Sequence, residues 1–230
     1  MKKTAIKKVL INGASGKMGQ ALLRLLQAQP QLGLTLAGTR EAGQNPSTTD
    51  FDIIIDFSTP QGAQEAFSLA KHHHKAFLTG TTNLPEMFLF QMQQEEKIPV
   101  FFAPNVSLSV YFFTTLAQQA ALMYKGYSVK LHEIHHVHKK DAPSGTAKKI
   151  AEAIHFPTNQ VTYAREGETV GTHEVQFSAP FDEITLTHKA TNRDLFAQSA
   201  LEIAQWLLTC RKGFYTMSDY AKFKLKEHKK

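Results

Sequence analysis

Along the first hundred positions, apolar residues fall into short unbroken runs separated by longer periodic stretches. The run "KVLI" (8–11) predicts a short buried strand. "NGASGKMGQALLRLLQAQ" follows at once, and its Met18, Leu22, Leu25 and Leu26 recur at helical spacing, which predicts a helix from near Gly16. "LTLAG" (34–38) and "FDIIIDFS" (51–58) predict two more strands. The Ile53-Ile54-Ile55 core of the second is typical of a parallel strand buried on both faces. A helix over about 60–73, a strand "AFLTG" (76–80), a helix around 85–96 and a strand "VFFAPN" (100–105) continue the alternation. Strands and helices in this order specify a parallel sheet with right-handed crossovers.

The pattern changes near residue 106. A long helical stretch covers about 107–124, and "YSVKLHEIHH" (127–136) reads as a strand. "HEVQFSA" (173–179) and "DEITLTHKA" (182–190) alternate with a short turn between them, as in an antiparallel sheet. "DLFAQSALEIAQWLLTC" (194–210) predicts a last amphipathic helix. The expected fold is therefore α/β: a Rossmann-type parallel-sheet nucleotide domain over 1–106, then an α+β substrate domain over 107–192 with a mainly antiparallel or mixed sheet.

Composition narrows the function. At 230 residues and 42% hydrophobic, the chain suits one large domain or two small ones. No apolar run approaches the roughly 20 residues of a membrane span, and Lys7 and Lys8 interrupt any signal-peptide core. Cys210 is the only cysteine, which excludes an intrachain disulfide and a multi-cysteine metal site. A cytoplasmic protein is expected. The net charge of +6 suggests nucleic acid until it is located. Residues 1–8 hold four lysines, and residues 222–230 hold five lysines and one glutamate; the remainder carries 17 basic and 19 acidic residues. Basic tails are not the basic face that a nucleic-acid backbone requires, so no nucleic-acid partner is expected.

"GASGKMG" (13–19) follows a predicted strand and opens a predicted helix. Gly13 permits the tight turn, Gly16 lets the backbone approach a pyrophosphate, and Gly19 brings the helix close to the sheet. Lys17 adds positive charge, and the helix start favours an anion. At the end of the second strand an NAD site places an acid and an NADP site an arginine. Here "GTREAG" offers Thr39 and then Arg40, which favours NADPH, with NADH second; Glu41, if it turned inward, would reverse that preference.

"EIHHVHKKDAPSGTAKK" (133–149) packs three histidines and four lysines around one turn. Pro143 fits the turn before a helix, and Ser144 is a plausible N-cap. Gly145, Thr146 and Ala147 would then present backbone amides to a carboxylate, with the Thr146 hydroxyl beside them. His135, His136, His138 and Lys139 bring proton donors to the same turn, histidine being the side chain that exchanges protons most readily near neutrality. The same histidines could be weighed as zinc ligands, but the cluster has no cysteine and its one nearby acid is Glu133, so no metal is expected. His72-His73-His74 reads as the polar end of a surface helix.

The "EIHHVHKKDAPSGTA" string closely resembles the signature of the dihydrodipicolinate reductase family, also called 4-hydroxy-tetrahydrodipicolinate reductases, of the diaminopimelate–lysine pathway. "VLINGASGKMGQ", "IIDFSTP", "GTT" (80–82), "APNVSLSV" and "GTHEVQFSAPFDEITLTHKATNRDLFAQSALEIAQWL" resemble its successive blocks in order. The resemblance implies reduction of a cyclic dicarboxylate by a reduced nicotinamide. It implies His135 as the acid–base residue and Lys139 as the proton donor, with His136, Lys139, Ser144, Gly145 and Thr146 holding the substrate. Gly13, Ala14, Ser15, Gly16, Lys17, Met18, Arg40, Gly80, Thr81, Thr82, Ala103, Pro104, Asn105 and Val106 would line the cofactor. It also implies that residues 193–230 return to complete the first domain, that the domains close on a hinge, and that the chain assembles as a homotetramer. The chain is shorter than the common form of the family after Arg40 and before "GTHEV", which bears on that tetramer. Thr39, Asn83 and Val106 depart from the usual residues. The competing readings are another small nicotinamide oxidoreductase and a non-catalytic dinucleotide sensor.

Overall fold

The computed structural model describes residues 5–227. Lys2, Lys3, Lys229 and Lys230, part of the basic ends, lie outside them. In chain order the elements begin with β1 (Lys7–Asn12), α1 (Lys17–Ala28), β2 (Leu34–Arg40), β3 (Ile53–Asp56), α2 (Pro60–His72) and β4 (Ala76–Thr79). They continue with α3 (Glu86–Gln93), β5 (Pro99–Phe102), α4 (Leu108–Met123), β6 (Ser128–His135), α5 (Gly145–Ala153) and β7 (Thr162–Arg165). The last are β8 (Gly171–Ser178), β9 (Glu183–Ala190), α6 (Asp194–Leu207), β10 (Gly213–Tyr215) and α7 (Met217–Glu227).

The chain divides into two compact units. One comprises the residues up to Val106 and those from Phe196 on; the other is Ser107–Leu195. In the first unit all six strands run parallel in the order β10-β5-β4-β3-β1-β2. Strand order reverses between β1 and β3, because the chain goes from β1 outward to β2 and then returns to the other side of β1. In such sheets ligands bind outside the carboxyl ends of the strands at that reversal. The Ile53-Ile54-Ile55 run is fully buried, as its lack of alternation predicted, and Leu10, Ile54, Phe67, Phe77, Phe88, Met92 and Val100 share one core. Pro60 at the first position of α2 and Thr59, whose side chain accepts from the Gly62 amide, set where that helix starts.

The second unit holds a four-stranded mixed sheet in the order β7-β6-β8-β9. β7 is parallel to β6, while β8 is antiparallel to both β6 and β9. One face packs Leu131, Val175 and Phe177 against Phe113 and Ala117 of α4 and Ile150 of α5. The fold class expected from the pattern is the one observed. The short strands β7 and β10 and the helix α7 were not predicted.

Candidate active site

Gly13–Met18 follows β1, Arg40 ends β2, Gly80–Thr82 follows β4 and Ala103–Val106 follows β5. Because these strands are parallel neighbours in one sheet, the topology gathers all four segments at its carboxyl edge. The glycine loop is built for close approach. Gly13 has φ +81°, and a Cβ there would lie 2.6 Å from the Phe57 carbonyl oxygen. A Cβ at Gly19 would lie 2.3 Å from the Gly13 oxygen, so only glycine lets α1 start this near the turn. The N-cap of α1 is Gly16, with no side chain capping the helix. This backbone cradle fits a pyrophosphate, and Lys17 beside it is exposed.

The next layer down is a buried polar network. Asp56, fully buried at the end of β3, accepts from Asn12 Nδ2 (2.6 Å), Thr79 Oγ1 (2.6 Å), Thr81 Oγ1 (2.7 Å) and the Ser58 hydroxyl. One carboxylate thereby fixes the loops after β1, β3 and β4. Arg40 joins the same network. Its side chain is buried, donates to Asn12 Oδ1 (2.7 Å) and pairs with Glu65. It is therefore committed inward rather than presented as the free cation that the sequence reading needed. Glu41 has turned toward the glycine loop, its Oε1 accepting the Ser15 amide at 2.7 Å. Asn83, one of the departures from the family's usual residues, has φ +56°, a conformation asparagine tolerates better than most residues.

In the second unit the chemistry follows from strand alternation. Leu131, Glu133 and His135 are the buried positions of β6, and Gly171, His173, Val175 and Phe177 those of β8. Register sets Glu133 opposite His173, His173 opposite His188, and His135 opposite Arg165. The apolar core of this face thus ends in a polar row. Glu133 Oε2 lies 3.4 Å from His135 Nδ1 and 3.7 Å from His173 Nε2. Burial lowers the pKa of His135, against the opposing charge of Glu133, while Lys139 and Arg165 lower it further. Burial, with His135 and His188 beside it, pushes His173 down to about 3.

The turn after β6 carries the rest. Ser144 caps α5, its hydroxyl accepting from the Ala147 amide at 3.1 Å, and its own amide donates to Glu133 Oε1 at 2.9 Å. Lys139 Nζ donates to Asp141 Oδ1 at 2.7 Å. Desolvation works to raise the Asp141 pKa, but Lys139 and the Gly145 amide hold it below the usual carboxylate value. A lysine ammonium and the first amide of α5 therefore already share one carboxylate. His136 is half-buried, and desolvation, then Arg193, lower its pKa. His138 is exposed, 4.0 Å from Glu168.

His135, Lys139, Ser144 and Gly145 thus share one corner of the second unit, whereas His138 points outward. Among the described residues, the donors close enough to share a cation are Glu133, His135 and His173, whose ligand atoms lie within 4.8 Å of one another. They are not the consecutive histidines of the sequence string. The string flagged Glu133 only as a potential zinc ligand, and nothing local pointed to His173, Asp56 or Asn12. Their signal is the strand register, which joins positions about 40 residues apart.

A parallel sheet ending in a glycine loop, with a buried row of histidines and Glu133 on a second sheet, is the arrangement of an α/β protein of the dinucleotide-binding kind. The family descriptions "Dihydrodipicolinate reductase, N-terminus" and "Dihydrodipicolinate reductase, C-terminus" match residues 7–106 and 109–220. A 4-hydroxy-tetrahydrodipicolinate reductase of Xanthomonas campestris pv. campestris (strain B100) is 39% identical, the match covering 92% of this chain and 96% of that protein. One from Campylobacter jejuni subsp. jejuni serotype O:6 is 33% identical over 93% and 98% of the two chains. A dipicolinate-bound dihydrodipicolinate reductase from Paenisporosarcina sp. TG-14 shares the fold, with TM-score 0.74 at 20% identity over 92% of this chain and 97% of that one. The chain belongs to the dihydrodipicolinate reductase family, and its activity is that of an oxidoreductase in the diaminopimelate–lysine pathway.

Proposed function

We propose that this chain reduces 4-hydroxy-tetrahydrodipicolinate to tetrahydrodipicolinate with a reduced nicotinamide, using NADH in preference to NADPH. The observation that carries the substrate reading is the carboxylate held between Lys139 and the start of α5. Asp141 supplies that carboxylate here, and a substrate carboxylate of the same chemistry can replace it. Thr146, in the first turn of α5, and half-buried His136 complete the proposed substrate contacts. Fixing the ring by its two carboxylates orients the reacting carbon, which is a large part of what such a site contributes.

The dinucleotide supplies the hydride. The residues of this chain do the rest. Gly13–Met18 cradle the pyrophosphate, and the loops Gly80–Thr82 and Ala103–Val106 line the remaining cofactor. The 4-hydroxyl leaves as water, taking one ring hydrogen with it, and the unsaturated ring that results takes up the hydride and the proton that Lys139 holds. His135, kept largely uncharged near neutrality by burial, exchanges a proton with the ring and its neighbours. Cationic Lys139 and Arg165 stabilise negative charge developing on the ring as hydride arrives.

Preference for NADH rests on two contacts. Arg40 is engaged by Asn12 and Glu65, so binding a 2′-phosphate would cost it those partners. Glu41, turned onto the Ser15 amide, brings a carboxylate beside the glycine loop, where it would repel a 2′-phosphate. The test is initial rates of NADH and NADPH oxidation on freshly made substrate, for the parent and Glu41→Ala. The expected result is turnover with kcat/KM about tenfold higher for NADH, about 1.4 kcal/mol, and a smaller ratio in Glu41→Ala. Absence of turnover with either cofactor overturns the function, and an NADPH-favouring ratio overturns the cofactor reading. The protein is further proposed to act in the cytoplasm as a homo-oligomer.

A further inference from the structure

Among the described residues, the buried side-chain atoms without a hydrogen-bond partner are Glu133 Oε2, His135 Nδ1, His173 Nδ1 and Nε2, and His188 Nδ1. All belong to the one row across β6, β8 and β9. Buried polar atoms are nearly always paired, so a cluster of exceptions in one row calls for a specific role or partner. Glu133 stands at its centre with no exposed surface. Its oxygens face two ways: Oε1 accepts the Ser144 amide at 2.9 Å and faces Arg165 Nη2 at 3.5 Å, while Oε2 faces His135 and His173.

We propose that Glu133 is a positioning residue for the reaction: Oε2 holds His135 with its proton on Nδ1, and Oε1 seats the Ser144–Gly145–Thr146 turn. This rests on His135 being the acid–base residue of the proposed reductase. The carboxylate lies a few tenths of an ångström beyond a hydrogen bond from Nδ1, so a small ring rotation completes the contact. Holding the proton on Nδ1 leaves Nε2 as the nitrogen that exchanges protons with substrate. Gly171 makes room on that edge, since a Cβ there would come within 3.0 Å of Nε2. A cation held by Glu133, His135 and His173 is the competing reading. Arg165 already brings a permanent positive charge to the same carboxylate, which favours a shared proton over a metal ion.

The groups facing His135 act in opposite directions. Glu133 on β6 and Asp141 in the turn raise its pKa, while Lys139 in the turn and Arg165 on β7 join burial in lowering it. His173 of β8 lies edge-on to it, with ring centroids 5.3 Å apart. Removing the Glu133 charge therefore lowers the titration of His135 further. Glutamine at 133 keeps an oxygen for the Ser144 amide and loses the charge; aspartate keeps the charge but is one methylene short of that amide. The two substitutions separate the two roles.

The experiment follows the His135 ring nitrogens by ¹⁵N NMR across pH, with kcat and KM for the ring substrate, in the parent, Glu133→Gln and Glu133→Asp. Expected for Glu133→Gln is a mixed tautomer, a His135 midpoint at lower pH, and kcat about 100-fold down with KM little changed. Expected for Glu133→Asp is a midpoint close to the parent's and a raised KM. An Nδ1–H tautomer and midpoint unchanged in Glu133→Gln overturn the proposal, as does stoichiometric zinc in the purified parent that Glu133→Gln loses. The NMR arm needs no turnover, so failure of the reductase reading and failure of this one give different results. If Glu133→Gln does not fold, Glu133→Asp carries the test: a parent-like KM overturns the role of Oε1, and a midpoint shifted well below the parent's overturns that of Oε2.

Discussion

His173 is 5% exposed, and its pKa is lowered to about 3 chiefly by burial, with His135, His188 and Lys139 contributing. In the unfolded chain it titrates near its ordinary 6.5. Below that pH the unfolded chain binds a proton that the native chain refuses. Stability is therefore fully present above about pH 6.5 and is lost as the pH falls toward 3, with a slope of about 1.4 kcal/mol per pH unit for this group. His135 and His188, also lowered by burial, add in the same sense. Denaturant midpoints at pH 7, 5.5 and 4.5 are expected to fall in the parent and to fall less steeply in His173→Gln. Equal slopes would show that His173 is not buried uncharged. At this scale the sequence was informative only locally. His135, Lys139 and Ser144 stand in one string, whereas Glu133 and His173 become neighbours only through the β6–β8 register. Arg40 was visible, but its burial against Asn12 was not, because that contact depends on β1 and β2 pairing in parallel.

At the scale of elements, apolar runs and periodicity located β1 to β6, β8 and β9 and the helices α1 to α6. They failed where pattern was weak. β7 is four residues in an edge position with no alternation of burial, and β10 is three residues, each half-buried. α7 carries "KFKLKE", whose charges read as a solvated tail, although Tyr220 and Ala221 on its other side are buried. β9 is the other edge of the second sheet. Its outward-facing edge groups have no strand partner among the described residues, and Phe181 in the turn before it is fully exposed. Unpaired edges of this kind invite pairing with another chain. Light scattering is expected to give a mass above the 25.7 kDa of one chain, moving toward it in Phe181→Asp. A parent that scatters as a single chain contradicts assembly through this edge.

For the whole molecule, the division of labour follows the division into units. The first has the parallel sheet, the glycine loop and the network anchored on Asp56; the second has the protonatable row and the carboxylate-holding turn. The excess of positive charge lies at the two ends of the sequence, where Lys7 and Lys8 belong to β1 and Lys222, Lys224 and Lys226 to α7, and no described helix is long and apolar enough to cross a membrane. Each unit is assigned one ligand, so one substitution should weaken one binding event and spare the other. The most direct measurement is calorimetric titration of pyridine-2,6-dicarboxylate into the NADH-saturated protein, for the parent and Lys139→Ala, with NADH affinity measured on both. Loss of the Lys139 charge-assisted contact is expected to weaken the dicarboxylate by roughly 30-fold, about 2 kcal/mol, while NADH affinity stays within about twofold. Undiminished dicarboxylate binding in Lys139→Ala would contradict the assignment of this turn as the substrate's anchor.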